Sequence, residues 1–286
     1  MASTTRAPEL TPRPAPPPEP GGRAGRAVAA AVASTVGTAF RRTIALVLFF
    51  ATWELAPRVG LVDPIFLPPV SEVVPALWHL AEDGQLWTNT RTSLVRSLSG
   101  FGLAIVLAVP LGLLIGWYRP VAELLNPLLE LFRNTAAIAL LPVFILILGI
   151  GETSKVAIVL YACTWPILLN TISAVRAVDP TLVRSARSLG LSAPRVFQKV
   201  ILPAAVPTIF TGIRLAGATA VLVMIVAEMV GAKEGLGFLI NSSQQNFAIN
   251  DMYAGIVAIS ALGLLFNHVL ILIERRFTRW RTEPTG

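Results

Sequence analysis

The chain has 286 residues, of which 54% are hydrophobic and 14% are charged, with a mean hydropathy of +0.69. Soluble domains carry about a quarter charged residues, so this composition indicates a membrane protein and excludes an ordinary water-soluble domain. The net charge is +7, but the basic residues flank apolar runs and form no stripe interleaved with aromatic side chains, which argues against nucleic-acid binding.

The apolar residues fall into six runs long enough to cross about 30 Å of hydrocarbon, which takes about 17 to 25 helical residues. In chain order, the predicted spans are Thr43–Val59, Val95–Trp117, Leu131–Ile150, Ser154–Ala174, Pro207–Val230 and Tyr253–Ile273. The sequence therefore predicts an all-α polytopic membrane protein with six transmembrane helices.

The distribution of basic residues predicts how the chain is oriented. Sixteen of the 23 Lys and Arg collect on one side when both termini and the loops after the second and fourth spans are placed there, which the positive-inside rule assigns to the cytoplasm. Residues 1–40 are rich in Pro, Ala, Gly and Arg, and are predicted to form a disordered cytoplasmic tail. The remaining divisions are a first helix with an outer loop over 41–90, a transmembrane core over 91–275 and a cytoplasmic tail over 276–286.

Ionisable groups inside apolar segments are expensive and are therefore functional candidates. Arg96, Arg133 and Arg214 are three such groups, and Glu228 near the outer end of the fifth span is a fourth. Glu228 either lines a translocation path or holds a neighbouring helix through a hydrogen bond, and we favour the second role.

Small residues and prolines within the spans predict closely packed and kinked helices. The prolines are Pro110, Pro142 and Pro166. The glycines expected to allow close approach are Gly100, Gly102, Gly112, Gly116, Gly212 and Gly217.

The longest polar interruption, residues 176–206, lies between the fourth and fifth spans and is predicted to form a helix-turn-helix. Val183–Leu189 is a short helix, Gly190 suits a left-handed bend at its end, and Ser192 caps a second short helix. Pro203 is expected to end that second helix. Four basic residues surround the apolar face of this helix-turn-helix, and a basic loop that only rests on the membrane surface would show the same pattern: Arg184, Arg187, Arg195 and Lys199.

The spacing in this segment resembles the "EAA" loop of ABC import permeases, which docks in a groove of the ATPase subunit. The match covers Ala186, Gly190, Leu202 and Pro203, with Val200 in place of Ile. Arg184 and Ser185 depart from the family's Glu and Ala. The resemblance implies a coupling loop over 176–206, and Phe197 would be its apolar anchor in the partner groove.

Further motifs are similar to the branch of these permeases that imports nitrate, sulfonates or taurine. They are Phe66-Leu67-Pro68-Pro69, Ser93 to Gly102, Ala139-Leu140-Leu141-Pro142, Leu148 to Glu152, Ala227-Glu228-Met229 and Gly235-Leu236-Gly237. The resemblance implies a type I ABC importer bundle in the bacterial plasma membrane, with a cytoplasmic coupling helix. Its expected partners are a second permease chain, forming a homodimer, two ATPase subunits, and a binding protein that meets the outer segments 61–89 and 231–251.

Several absences agree with a transport subunit that performs no chemistry and needs no cofactor. The sequence contains no G-x-x-x-x-G-K-[ST] phosphate-binding loop, so ATP must be hydrolysed by another subunit. His79, His268 and Cys163 are isolated from one another and predict no metal site.

Two other classes of function remain as alternatives. A secondary transporter driven by an ion gradient would need no ATPase, but it predicts inverted repeats and ion-coordinating groups at the midplane, and neither is visible. A signalling or scaffold membrane protein would make the loop spacing a coincidence.

Overall fold

The computed structural model describes residues 43–277. The predicted tail 1–40 lies outside the described residues, as does the predicted tail 276–286 apart from its first two residues. The chain divides into two compact units, the first ending at Ala56 and the second beginning at Pro57. Helix α1 covers residues 43–58. The other helices are α2 (Val70–Glu82), α3 (Gln85–Trp117), α4 (Arg119–Arg133), α5 (Leu141–Leu148), α6 (Glu152–Arg176), α7 (Pro180–Ser188), α8 (Ala193–Val196), α9 (Leu202–Met229), α10 (Leu236–Gln245) and α11 (Ile249–Phe277).

The described part of the chain is helical and has no β-strand, which confirms the all-α prediction. Four stretches are long and apolar enough to cross a membrane: α3, α6, the continuous stretch Ala193–Met229 and α11. A fifth is a broken pair, α4 followed by Ala137–Leu148, bent by 85°. With α1, these elements fit the predicted six spans.

Helices α3, α6 and α9 pack side by side, with α6 between the other two. Small residues on α3 face α6 so closely that a Cβ at Gly100 would lie 2.7 Å from Val159 Cβ, and one at Gly112 would lie 2.6 Å from Thr171 Cβ. Gly116, Gly212 and Gly217 make similar close approaches. The predicted role of these glycines is therefore correct, except at Gly102, which has open space around it.

The third predicted span, Leu131–Ile150, is divided between two helices, and the break lies before Pro142 and not at it. Helix α4 ends at Arg133, where the side chains of Asn134 and Thr135 donate hydrogen bonds to the carbonyls one turn earlier. The chain is extended at Ala136 before a 3-10 turn, Ala137–Leu140, leads into α5. Pro142 occupies the first turn of α5, where its missing N–H costs nothing.

The predicted outer loop over 231–251 contains a helix, α10, that the sequence did not indicate. Leu236 and Leu239 are buried, so α10 packs onto the bundle. The turn before it requires Gly235, whose φ is +123° and whose missing Cβ leaves room for the Glu228 carboxylate. This turn brings the end of α9 and the start of α10 together.

The contrast between neighbouring glycines on α3 gives a test of the packing. Gly100→Ala should destabilise the protein by about 1–3 kcal/mol, because the added methyl group overpacks the contact with α6. Gly102→Ala is the matched control and should be neutral or stabilising, because alanine favours a helix over glycine by about 0.5–1 kcal/mol. Thermal unfolding of the purified protein in detergent measures both, and equal midpoints for the two variants would contradict the packing described.

Candidate functional site

The loop between α6 and α9 has the predicted helix-turn-helix shape. Helix α7 begins at Asp179, whose carboxylate accepts the Thr181 N–H at 2.7 Å; this bond lowers the pKa of Asp179. Gly190 has a φ of +79°, and the next residue, Leu191, donates its N–H to the Ala186 carbonyl at 3.2 Å. Glycine reaches this left-handed geometry without strain.

The second half of the loop differs from the prediction, because Pro203 does not end the helix. Helix α8 continues through a π-helical turn, Phe197–Ile201, directly into α9. Leu202 donates its N–H to the Phe197 carbonyl five residues back. A proline removes one helical hydrogen bond and its ring crowds the preceding turn, and the wider π turn just before Pro203 absorbs both effects.

The inner face of the loop is packed against the ends of two long helices. Ala186 and Val196 are buried in one apolar cluster with Val175 of α6 and with Ala205 and Ile209 of α9. Val196 is completely buried. The loop is therefore seated on α6 and α9 together.

The outer face of the loop is polar and basic, with two exposed leucines, Leu182 and Leu189. Arg184 and Ser185 are exposed, and Leu189 is 80% exposed at the bend. Phe197, expected to be the outward anchor, is half-buried and packs edge-on against Trp117 of α3, with ring centroids 5.3 Å apart. The aromatic ring turns inward because Trp117 offers it an apolar surface.

Glu228 lies at the end of the bundle that is predicted to face outward, and it is 1% exposed. Its carboxylate accepts hydrogen bonds from the Ser93 hydroxyl at 2.7 Å, from Arg96 Nη1 at 2.9 Å and from the Gly237 N–H at 3.0 Å. Ser93 Oγ in turn accepts the Leu236 N–H at 2.8 Å. These partners come from α3 and from the start of α10, so Glu228 joins three elements.

Arg96 completes this group, which we call the outer ion cluster: Asn89, Ser93, Arg96, Glu152 and Glu228. The Arg96 guanidinium makes a forked contact with the Glu152 carboxylate at the start of α6, and Nη1 also donates to the Glu234 carbonyl at 2.7 Å. Asn89 accepts the Gly235 N–H at 2.8 Å. Arg96 is only 5% exposed, so two carboxylates and a carbonyl take the place of water around it.

Sequence reasoning singled out Glu228 and noted Arg96 within an apolar run, but it did not pair them. It included Ser93 and Glu152 only within motifs shared with the family, and it missed Asn89. The available signal was a helical spacing of three and four residues from Asn89 to Ser93 to Arg96, which places polar side chains on one face of an otherwise apolar helix. Within residues 43–277, no group of three or more His, Cys, Asp or Glu side chains could hold a metal ion.

Comparison with known proteins decides the family. A model of the binding-protein-dependent transport system inner membrane component family matches residues 108–283. The chain belongs to this family. It is therefore a multi-pass permease subunit of an ABC importer. This result supports ATP-driven import over the alternative of a secondary transporter driven by an ion gradient.

Two curated relatives and one solved structure illustrate this membership. The chain is 32% identical over 243 residues to the taurine transport system permease protein TauC of Escherichia coli K12, covering 83% of this chain and 88% of TauC. It is 36% identical over 230 residues to the aliphatic sulfonates transport permease protein SsuC of the same organism, described there as putative, covering 80% and 88%. An inward-facing MetNI methionine ABC transporter structure has the same fold, with a TM-score of 0.60 and 20% identity over 71% of this chain and 98% of that chain.

Membership of this permease family carries two consequences. The family is a transport subunit and not an ATPase domain, which agrees with the missing phosphate-binding loop. An ABC permease of the binding-protein-dependent type works with an ATPase partner and a substrate-binding protein.

The outer ion cluster of the permease predicts a large effect of one substitution. Glu228→Gln should lower the free energy of unfolding by about 1–3 kcal/mol, because the buried Arg96 loses one of its two carboxylate partners and keeps Glu152. Glu123→Gln, at an exposed carboxylate on α4, is the control and should change stability little.

Thermal unfolding in detergent measures these variants, and an Arg96→Gln/Glu228→Gln double variant should recover part of the loss because both charges are gone. Strictly additive losses would contradict a coupled pair.

Proposed function

We propose that residues 176–206 seat on the ATPase subunit and carry its closure to the membrane helices. This proposal is supported by the difference between the apolar, buried face of the loop and its exposed, basic face. Its inner face is buried against α6 and α9 through Ala186 and Val196, while its outer face presents Leu189 and basic side chains. A rigid element fixed to two spans moves both when it is pushed.

Most of the predicted residues have a proposed role in this coupling, and Ser185 has none. Gly190 allows the bend, Ala186 is small enough for α7 to lie flat, and Leu202 with Pro203 places the π turn that joins the loop to α9. Val200 and Phe197 face the chain's own apolar cluster, and Phe197 extends the linkage to α3 through Trp117. Leu189 takes over the role of outward anchor.

Charge suggests what the partner groove looks like. Arg184 stands where the family has Glu, and Arg187, Arg195 and Lys199 are exposed nearby. We infer that the ATPase groove opposite Arg184 presents acidic side chains, because complementary charge favours the encounter of two surfaces.

We propose the following assembly and orientation. Two copies of this permease form a homodimer over two ATPase subunits, in the plasma membrane of a bacterium, with both termini and the coupling loop in the cytoplasm. The binding protein meets the outer segments 61–89 and 231–251. Trp87 and Phe247 are 72% and 82% exposed there, and aromatic side chains are common anchors of protein interfaces.

We propose that the solute is a small organosulfonate. The names of two relatives, TauC and SsuC, refer to taurine and aliphatic sulfonates, which share the sulfonate group. The structure removes one objection to an anionic solute, since the Glu228 carboxylate is enclosed by Ser93, Arg96 and Gly237 and cannot repel an anion in the path.

The coupling role predicts a specific defect when the bend is strained. Gly190→Val should leave the protein inserted in the membrane but separate ATP hydrolysis from uptake, because valine does not tolerate a φ of +79°. Gly190→Asn is the matched control, because asparagine adopts this region more readily. Uptake per ATP hydrolysed, in proteoliposomes holding the complete importer, is the quantity to measure.

Equal coupling ratios for Gly190→Val and Gly190→Asn, both normally inserted, would count against the loop as the coupling element.

The solute class has its own test. Binding protein loaded with taurine or an alkanesulfonate should stimulate ATP hydrolysis by the reconstituted importer, whereas the same protein without solute should stimulate it less. If another class of solute stimulates ATP hydrolysis and no sulfonate does, the proposed substrate is wrong, but the importer function is kept.

A further inference from the structure

The three arginines inside apolar segments have different surroundings. Arg96 is held by Glu152 and Glu228, and Arg214 pairs with Glu274 of α11 at 3.1 Å. The third, Arg133, is exposed at the end of α4, and among residues 43–277 no carboxylate lies within ion-pair distance of it.

Arg133 lies level with the middle of α6, a helix long and apolar enough to cross a membrane. The ring of Phe132, one residue earlier, stacks on Trp165 of α6 with centroids 5.7 Å apart, and the Phe132 carbonyl accepts the Tyr161 hydroxyl at 3.4 Å. At 1.5 Å per helical residue, Trp165 is about 16 Å from Arg176 at one end of α6 and about 20 Å from the other end. The break after Arg133 is level with this midpoint.

A cation at this depth cannot face lipid. A charged side chain at the bilayer centre is costly and turns toward a protein partner or a water-filled cavity. Arginines near helix ends reach the interface with their side chains, but about 16 Å is beyond that reach. Within the described chain no carboxylate lies beside Arg133, and the polar side chains that continue from it along α4 favour water over a protein partner.

The polar residues of α4 continue this aqueous surface toward the end of α6 at Arg176. Residues 119, 123, 126, 130 and 133 are spaced by four and three, so they share one face of the helix. We call this face the α4 polar stripe: Arg119, Glu123, Asn126, Glu130 and Arg133. The first four line a cavity of about 1050 Å³ together with Arg176. In the described chain, none of the four charged side chains around the cavity belongs to an ion pair.

The rest of α4 is apolar. Leu124, Leu128 and Leu131 also follow the helical repeat, and their side chains are 76%, 50% and 63% exposed. They form a separate stripe suited to lipid or to a second copy of the chain. Helix α4 therefore has one polar face suited to water and one apolar face suited to lipid or protein.

The break between α4 and α5 points to the same surface. Non-helical backbone at membrane depth occurs only where it is buried in protein or lines a water-filled cavity. Asn134 and Ala136 at the break are exposed, so this chain does not bury them and a water-filled cavity is the condition that fits.

We propose that the solute passes along the α4 polar stripe and that Arg133 binds its anionic group at the midpoint of the path. The anionic class of the ligand rests on the sulfonate function proposed above, whereas the position of the path does not. A guanidinium offers parallel N–H donors to two oxygens of one anion, which suits a sulfonate. Glu123 and Glu130 lie on the same stripe, on the side of Arg133 toward Arg176. Their carboxylates would weaken binding of the anion beside them, which favours release of the solute.

Thiol labelling tests the position of the path. Single cysteines are introduced along α4 in a Cys163→Ala background, within the complete importer in membrane vesicles of both orientations. A charged, membrane-impermeant methanethiosulfonate should modify Asn126→Cys, Glu130→Cys and Arg133→Cys at least about tenfold faster than Leu124→Cys, Leu128→Cys and Leu131→Cys. Faster labelling of the leucine positions, or no labelling of the polar stripe in either nucleotide state, would overturn the proposal.

Uptake kinetics test the role of Arg133. Arg133→Gln should raise the apparent KM for the sulfonate-loaded binding protein, or lower uptake at limiting solute, by about 10- to 100-fold. This is the loss expected when a hydrogen bond to a charged group is removed. Arg133→Lys should recover part of it. Arg214→Gln is the control, since it removes a span arginine that is paired with Glu274 and should leave KM unchanged.

The two measurements separate the possible failures. If the wild-type importer takes up no sulfonate while the polar stripe still labels, the solute class is wrong and the path stands. If sulfonate uptake is normal and Arg133→Gln matches the wild type, the anion site is refuted while the importer function is kept.

Discussion

Charges inside a hydrocarbon layer must be neutralised by partners or hydrated, and this constraint explains the polar residues of the transmembrane part. Arg96 is enclosed by two carboxylates and a carbonyl at the outer end, and Arg214 is paired with Glu274. Both arrangements tie helices together. Arg133 has no such partner in the described chain, and the same constraint then assigns it to water. One rule thus separates structural arginines from a candidate solute contact.

The central helices connect the two ends of the molecule mechanically. Close contacts at Gly100, Gly112 and Gly116 hold α3 against α6 along most of its length. The outer ion cluster joins α3, α6, α9 and α10, while the coupling loop is packed on α6 and α9 and touches α3 through Phe197 and Trp117. Interiors packed this tightly move as rigid units, so we infer that a push on the loop displaces the outer cluster as well.

Hydropathy and spacing predicted much of this arrangement because both are local properties. Apolar runs located α3, α6, α9 and α11, and the left-handed bend at Gly190 followed from residue type. The broken span was missed because α4 is amphipathic, so its apolar residues do not form a continuous run. We expected Pro203 to end a helix, because the sequence gives no signal for the π turn that accommodates it. This π turn begins after the buried Val196 and ends at the buried Ile201. The pairing of Arg96 with Glu228 joins residues 132 positions apart, which periodicity cannot reveal.

The most direct test of the account is uptake of a sulfonate into proteoliposomes that contain this permease, its ATPase and its binding protein, with ionophores present to dissipate every ion gradient. The account predicts uptake that requires ATP on the side of the coupling loop and binding protein on the other side, and that is unaffected by the ionophores. Uptake that needs no ATP and disappears with the ion gradients would contradict it.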